Sequence, residues 1–499
     1  MKIIIPMTGK SSRFKKAGIK TPKQFLKIEN NYILKHIIDM FPGEKDINLI
    51  VNSLDLQNND FKKYMMDFTK YNIHEIDFQE SGPGGALLES GILNTESEVL
   101  INYCDFANIW DWNKFKEFIN KNQPDGVVPA YFGIHPHNIY DNDYAFIKND
   151  DDKILNIREK ESFTNKKINE YASTGSYYFK SGLLADKYIK RTFEKEKFVN
   201  DEVYISTPYE EMLNDSLDVR VFHIDYFFQW GTPEDYLEFE YNLNEVKNIT
   251  DEKKIDLSNI NLLIPAAGKG ERFKKEGYKD SKKNLKINDK KIIEQILSSC
   301  ENQTETKILY HENDVVIDSE FINKKNIITI SERTGGQAES SLKLLDHVEN
   351  DNPILFHSAD CILDKNLIID IGEFDVVVYT KSNYRRAFSQ DLNYGWVNTE
   401  KGFLDSFSIK KPPKGKSSSV ILGVFLFKNK ATYIDLYNET VENSETNKEI
   451  HIDHLIETAK SKNMKIKIES TDISSMLGTP LEYELVKYMN KALSYLIDQ

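Results

Sequence analysis

Apolar residues in this chain fall into short runs separated by stretches where they recur every three or four positions. Residues 3–6, 47–51, 99–102, 262–265, 354–356 and 374–379 are such runs, rich in Ile, Leu and Val. Runs this short predict strands buried on both faces. Residues 33–40 and 292–297 carry Ile and Leu at helical spacing and predict amphipathic helices. Strands alternating with helices predict an α/β fold, with a mostly parallel sheet covered by helices on both faces. Ligands of such sheets sit beyond the carboxyl ends of the strands.

The pattern occurs twice. Residues 5–28 read IPMTGKSSRFKKAGIKTPKQFLKI and residues 264–287 read IPAAGKGERFKKEGYKDSKKNLKI, identical at 14 of 24 positions. Unrelated segments would agree at about one or two. Further anchors recur in order. Gly84-Gly85 is echoed by Gly335-Gly336, the run ending in Asp105 by the run ending in Asp360, and Gly231-Thr232-Pro233 by Gly478-Thr479-Pro480. A tandem duplication is the expectation, with domains at 1–248 and 259–499 and the polar stretch 249–258 as linker.

Composition narrows the possibilities. Apolar residues make up 40% of the 499 and charged residues 29%, which suits a packed core and excludes a largely disordered chain. Lys and Arg total 65 against 79 Asp and Glu, a net charge of −14 that disfavours nucleic acid and anionic membranes as partners. No run approaches the length of a membrane span, and the start of the chain does not read as a signal peptide. Three cysteines without a CxxC pair argue against a disulfide scaffold and predict a cytoplasmic protein.

The chemistry concentrates in the loop after the first strand of each half. Gly9, Ser11 and Arg13 are followed by Lys23; Gly268, Gly270 and Arg272 are followed by Lys282. Small residues after a strand let backbone N–H groups approach phosphate oxygens, while Arg and Lys add charge. The spacing matches neither a Walker A loop nor the GxGxxG dinucleotide fingerprint. Asp105 and Asp360 each follow an apolar run, where a carboxylate can hold a hard cation or merely cap a turn.

The order strand, G-x-[GS]-x-R-F, [PS]-K, then Gly82-Pro83-Gly84-Gly85, Tyr103-Cys104-Asp105, Glu159-Lys160, Gly175 and Gly231-Thr232-Pro233 resembles the bacterial nucleotidyltransferases that make nucleotide sugars, the nucleoside-diphosphate-sugar pyrophosphorylases. The first half is similar to the capsule and surface-polysaccharide variety, and the second to a sister branch. The resemblance implies two tandem Rossmann-like (GT-A-like) domains, each a mostly parallel mixed sheet with helices on both faces. It implies transfer of a nucleoside monophosphate from an NTP to a sugar 1-phosphate, with release of pyrophosphate and with Mg²⁺ as cofactor. It implies that Arg13, Lys23, Arg272 and Lys282 hold the triphosphate, and that Gly9, Ser11, Gly84, Gly85, Gly268, Gly270, Gly335 and Gly336 lie against the nucleotide. Asp105 and Asp360 would hold the metal. Glu159, Lys160, Gly175, Lys411 and Gly423 would meet the acceptor.

Several positions depart from that pattern. Relatives carry a second metal-binding Asp two residues before the final Gly-Thr, where this chain has Gln229 and Met476. Asp225 and Asp472, six residues before those glycines, either take over the role or sit on a solvated strand face. Glu159-Lys160 aligns with Lys410-Lys411, which would reverse one charge at the second acceptor site. His135-Pro136-His137 is a candidate lining of the first acceptor site, while His451 and His454 lack a third ligand for zinc. Two alternatives stand beside the main reading. One unit is a regulatory pseudoenzyme, or the acceptor is a non-sugar phosphate taken by a cytidylyltransferase.

Overall fold

A computed structural model describes residues 1–77, 80–135, 144–314, 321–384, 394–400, 403–409, 418–444 and 449–497. The chain resolves into two compact units, residues 1–240 with the C-terminal residues from 494 on, and residues 241–493.

The first unit is built on a ten-stranded sheet. Its strands are β1 (Lys2–Pro6), β2 (Ile47–Asn52), β3 (Asn72–Ile76), β4 (Val99–Asn102), β5 (Gly126–Tyr131), β6 (Ala145–Asp150), β7 (Lys153–Glu159), β8 (Tyr171–Ser173), β9 (Ser176–Phe179) and β10 (Val219–His223). From one edge the order is β3-β2-β1-β4-β9-β5-β10-β7-β6-β8. The second unit holds a nine-stranded sheet. Its strands are β11 (Asn261–Pro265), β12 (Thr306–His311), β13 (Ile327–Ile330), β14 (Ile354–His357), β15 (Val376–Lys381), β16 (Gly395–Glu400), β17 (Phe403–Ile409), β18 (Ser418–Phe427) and β19 (Ile466–Thr471). Its order is β13-β12-β11-β14-β18-β15-β19-β17-β16, the same arrangement position for position. The single long β18 does the work of both β8 and β9, pairing with β16 through Val420 and with β14 through Phe427.

The sheets are mixed, as expected, but they are not mostly parallel: antiparallel pairings outnumber parallel ones in the first unit. In the first unit β1 pairs parallel with β2 and β4, β2 with β3, and β10 with β5. The remaining pairs are antiparallel, because β6 and β7 form a hairpin closed at Asp151 (φ 52°) and β9 runs back between β4 and β5. The parallel stretch is the part that positions the loop after β1.

Burial on both faces explains the unbroken apolar runs. In β11, Leu262 and Ile264 pack on one side with Ile292 and Ile296 of the helix Ile292–Ser298. Leu263 packs on the other side with Leu344 and Leu345 of the helix Gln337–Leu345 and with Tyr433 of the helix Lys430–Glu442. Among the described residues no helix is long and apolar enough to cross a membrane.

Residues 249–258, expected as a linker, are built into the second unit. The helix Pro233–Thr250 runs into this stretch, and Ile255–Asp256 pairs in parallel with Cys300–Glu301. Ile255 (2% exposed) and Leu257 (0%) lie in the core, two residues apart and so on one strand face. Asn248 Nδ2 donates to the Leu363 carbonyl (2.9 Å), and Lys365 Nζ donates to the Asp251 carbonyl (2.6 Å). Replacing a fully buried Leu by Ala removes about 2–5 kcal/mol, whereas linker substitutions stay within about 0.5 kcal/mol. Leu257→Ala should therefore lower the denaturant midpoint of the second unit's transition. An unchanged midpoint would return 249–258 to the status of a linker.

Candidate nucleotide and acceptor sites

β1 ends at Pro6 and its neighbour β4 at Asn102, so the loops that follow both strands open at one end of the parallel stretch. The first loop turns at Ser11, which adopts a left-handed conformation (φ 49°) before the short helix Ser12–Lys16. Gly270 (φ 63°) makes the same turn before Glu271–Lys275. Arg13 and Arg272 begin those helices with exposed side chains.

Lys23 begins a short 3-10 turn and reaches back across the sheet. Its Nζ donates to Asp105 Oδ2 at 2.6 Å, with both side chains about four-fifths covered (20% and 23% exposed). The second unit repeats the contact, with Lys282 Nζ 2.6 Å from Asp360 Oδ2. Burial works against the Lys23 charge, yet the Asp105 carboxylate more than offsets it and holds the ammonium above its ordinary range. Burial likewise works against ionised Asp360, and Lys282 more than offsets it, so its acid is stronger than usual. Arg13 is close enough for its charge to act on Lys23 and on Tyr204.

The recurring Gly-Thr-Pro lies against these carboxylates. A Cβ on Gly231 would stand 3.2 Å from Asp105 Oδ2, and one on Gly478 3.4 Å from Asp360 Oδ2. Trp230 N donates to the Asp105 carbonyl and Leu477 N to the Asp360 carbonyl, both at 2.7 Å.

The place of the absent second aspartate is filled by a closed network. Gln229 accepts from Tyr144 Oη through Oε1 (3.0 Å) and donates through Nε2 to Asp235 Oδ1 (3.0 Å). Thr232 Oγ1 donates to Asp235 Oδ2 (2.7 Å). In the second unit Met476 cannot continue such a chain. Glu482, one methylene longer than Asp235, instead accepts directly from Tyr384 Oη and Tyr394 Oη (2.7 Å each) and from Thr479 N (2.8 Å). Both acids fall four residues after the recurring Gly, a coincidence the repeat displays when it is followed past Pro. Asp225 is an exposed partner of His223 (3.3 Å). It precedes the strand Tyr226–Gln229, whose other end, Gln229, pairs with Phe106 next to Asp105. Asp472 turns its carbonyl to Lys381 Nζ (2.9 Å).

Gly84 and Gly336 have the chain itself as near neighbour. A Cβ on Gly84 would meet Val203 Cγ1 at 2.7 Å, and one on Gly336 the Ile450 carbonyl oxygen at 2.3 Å. Gly85 follows Gly84 in the helix Gly82–Ser90, while Gly335 N is engaged by Glu339 Oε2 (2.6 Å). At the start of the loop after β11, buried Lys283 donates to the Ala266 carbonyl (2.6 Å) and Arg333 to the Ala267 carbonyl (2.5 Å). Burial lowers Lys283 to about 8. In the first unit the corresponding Thr8 carbonyl accepts from Asn52 Nδ2 (3.3 Å).

Glu159 and Lys160 end β7 beside the helix Thr207–Asn214. Ser206 Oγ donates to Glu159 Oε2 (2.6 Å), and Lys160 Nζ to Tyr204 Oη (2.9 Å). Gly175 (φ 105°) and Gly423 (φ 74°) occupy one place. Their carbonyls accept from Tyr103 N (3.2 Å) and Ser358 N (3.1 Å), and a Cβ on either would strike Phe106 or Ser358. His135 is buried, packs on Phe227 and accepts no charge, because burial lowers it to about 3. Pro136, His137, Lys410 and Lys411 lie outside the described residues.

The strand register corrects the alignment of the candidate acceptor residues. Glu159 pairs with Ala145 at the end of the β6–β7 hairpin, and Ile409 pairs with Gly395 at the end of β16–β17. Ile409, not Lys410, is thus the counterpart of Glu159, and Lys410 that of Lys160. The expected charge reversal becomes loss of a carboxylate from this strand. Two hairpins of equal length fix the pairing, whereas sparse local identity leaves it open by one residue.

No family model matches the chain, and no curated protein does. Among solved structures, a nucleoside-diphosphate-sugar pyrophosphorylase from Vibrio cholerae RC9 is 18% identical, spanning 47% of this chain and 98% of its own, with a TM-score of 0.38. An inositol-1-phosphate CTP transferase from T. maritima is 14% identical over 47% of this chain and 90% of its own, TM-score 0.37. A UDP-glucose pyrophosphorylase from Acinetobacter baumanii is 14% identical over 48% and 93%, TM-score 0.37. Identities and scores this low do not bear on the chemistry of this chain.

The lowered folded-state pKa of Asp360 has a thermodynamic consequence. Such a group adds stability above its unfolded value, and the gain is lost as pH falls through the folded one. Lys282→Met should therefore lower the second unit's melting temperature at pH 7. The deficit should shrink below the ordinary carboxylate range, near pH 3. A deficit independent of pH would remove the ion pair as its cause.

Proposed function

We propose that the chain is a nucleotidyltransferase formed by tandem duplication of one Rossmann-like domain. It transfers a nucleoside monophosphate from an NTP to the phosphate of a small acceptor and releases pyrophosphate. The observation that carries this reading is the lysine–carboxylate contact made twice, 2.6 Å in each unit, where the phosphate loop meets the end of the neighbouring parallel strand.

Phosphoryl transfer asks little covalent work of a protein, and positioning with charge neutralisation suffices. Arg13 and Lys23, with Arg272 and Lys282 in the second unit, would bind the triphosphate and offset charge on the leaving pyrophosphate. Gly9 and Gly268, where a Cβ would meet nothing within 4 Å, leave the loop backbone open to phosphate oxygens. Asp105 and Asp360 are the residues that would hold Mg²⁺. One carboxylate per site fits that ion, which takes its remaining ligands from phosphates and water. When bound, the ion supplies charge neutralisation at the transferred phosphate. Among the described residues no cluster of three acidic, His or Cys side chains offers a ready-made cage.

Glu159, Lys160 and Gly175 are the acceptor-facing residues of the first unit in this reading. A sugar 1-phosphate destined for surface polysaccharide in the cytoplasm is the acceptor we favour. The differing strand ends, Glu159 against Ile409, favour different acceptors for the two units over a simple gain in dose.

The test is pyrophosphate release by the full-length chain, with Mg²⁺, each NTP in turn, and a panel of sugar and non-sugar phosphates. Asp105→Asn should reduce the first unit's product by orders of magnitude with folding intact, because metal neutralisation contributes several kcal/mol to such barriers. Asp360→Asn should do the same to the second product. No release with any NTP would sink the proposal, and a single product insensitive to Asp360→Asn would leave the second unit a pseudoenzyme.

A further inference from the structure

The second unit lacks the Glu159 carboxylate at its strand end, yet a carboxylate approaches the same place from the opposite side. In the first unit Glu159 sits between Ala145, its strand partner, and Ser206, the N-cap of the helix Thr207–Asn214. The counterpart helix, Ile452–Ser461, is capped by His451, and its second residue is Asp453. Asp453 Oδ2 stands 2.7 Å from where a Cβ on Gly395 would be. Gly395 is the residue paired with Ile409, as Ala145 is paired with Glu159. A side chain at 395 would collide with the acid, so the exchange of Ala145 for Gly395 is what makes room for it.

Asp453 differs from the other inward-facing acids of this unit. Glu482 accepts three hydrogen bonds and Asp360 is paired with Lys282. Among the described residues no hydrogen bond or ion pair reaches the Asp453 carboxylate, and burial alone acts on it, raising its pKa to about 6. A mostly covered carboxylate without a partner costs stability. That cost has no structural return within the described residues.

Resting on the transferase reading, we propose that Asp453 is the acceptor-facing carboxylate of the second unit, a specificity-determining residue that replaces Glu159 from the helix side. The acceptor class it selects is a small phosphate bearing a hydroxyl, amide N–H or ammonium donor placed to meet the acid. The donor is met from another direction than in the first unit, so the two units distinguish acceptors of similar charge by shape.

The experiment has two arms, both on the full-length chain. The first compares melting of the wild type with Asp453→Asn at pH 8. Relief of an unpartnered charge should raise the second unit's transition by about 2–4 °C for each kcal/mol regained. A fall would show a structural carboxylate and overturn the assignment. The second arm uses a parent carrying Lys23→Ala, which silences the first unit, with Mg²⁺, each NTP, and glucose 1-phosphate, inositol 1-phosphate, phosphocholine or methyl phosphate. Asp453→Asn should raise the acceptor KM about ten- to a hundred-fold with the preferred donor-bearing probe. The NTP KM should stay unchanged, methyl phosphate should be indifferent, and Asp453→Glu should restore part of the loss. Equal acceptor KM values in parent and variant overturn the assignment while leaving the transferase reading standing. A parent silent with every NTP and probe overturns the transferase reading of this unit instead, and the assignment that rests on it.

Discussion

Each candidate site depends on carrying a lysine and a carboxylate that are far apart in the chain to a single point. Lys23 and Asp105 are 82 residues apart, Lys282 and Asp360 78. Two adjacent parallel strands do this, because their loops emerge at the same end and their register is fixed by apolar side chains on both faces. The pair is held mostly out of water, where opposite charges attract strongly and each offsets the cost of covering the other. The Gly-Thr-Pro turn, the short helix bearing Arg13 and the left-handed turn at Ser11 are all placed by that convergence. A ligand that takes the carboxylate must leave the ammonium a new anion, and a phosphate chain is suited to provide one.

The parallel half of the fold was legible in the sequence. The strand at 99–102 appears with the same bounds, and Lys23 meets Asp105 as Lys282 meets Asp360, at the places the repeat gives them. The antiparallel half was not, since its hairpins follow from turns such as the one at Asp151 that leave little trace in apolar spacing. The polar stretch around 249–258 misleads for a similar reason. Two buried residues, Ile255 and Leu257, are enough to anchor it, and composition averages them away. Sparse local identity places the counterpart of Glu159 one residue off, because cross-strand partners set the register there.

The two units solve some geometric problems with different atoms. The carbonyl before Gly9 is held by Asn52 and the one before Gly268 by Arg333. One unit extends a carboxylate from a strand and the other from a helix. Such exchanges keep a charge or a donor at a place while changing the element that delivers it, which is why comparing motifs one residue at a time understates how alike the sites are.

The tyrosine–acid networks behind the Gly-Thr-Pro turns show what this means for exchanging parts. Gln229 with Asp235 spans the distance that Glu482 spans alone beside Met476. Importing Met in place of Gln229 by itself would remove the oxygen that accepts from the Tyr144 hydroxyl, and importing Glu in place of Asp235 by itself would crowd the amide. A chimaera assembled from the two halves must therefore move both positions, and the tyrosine they serve, as one indivisible block.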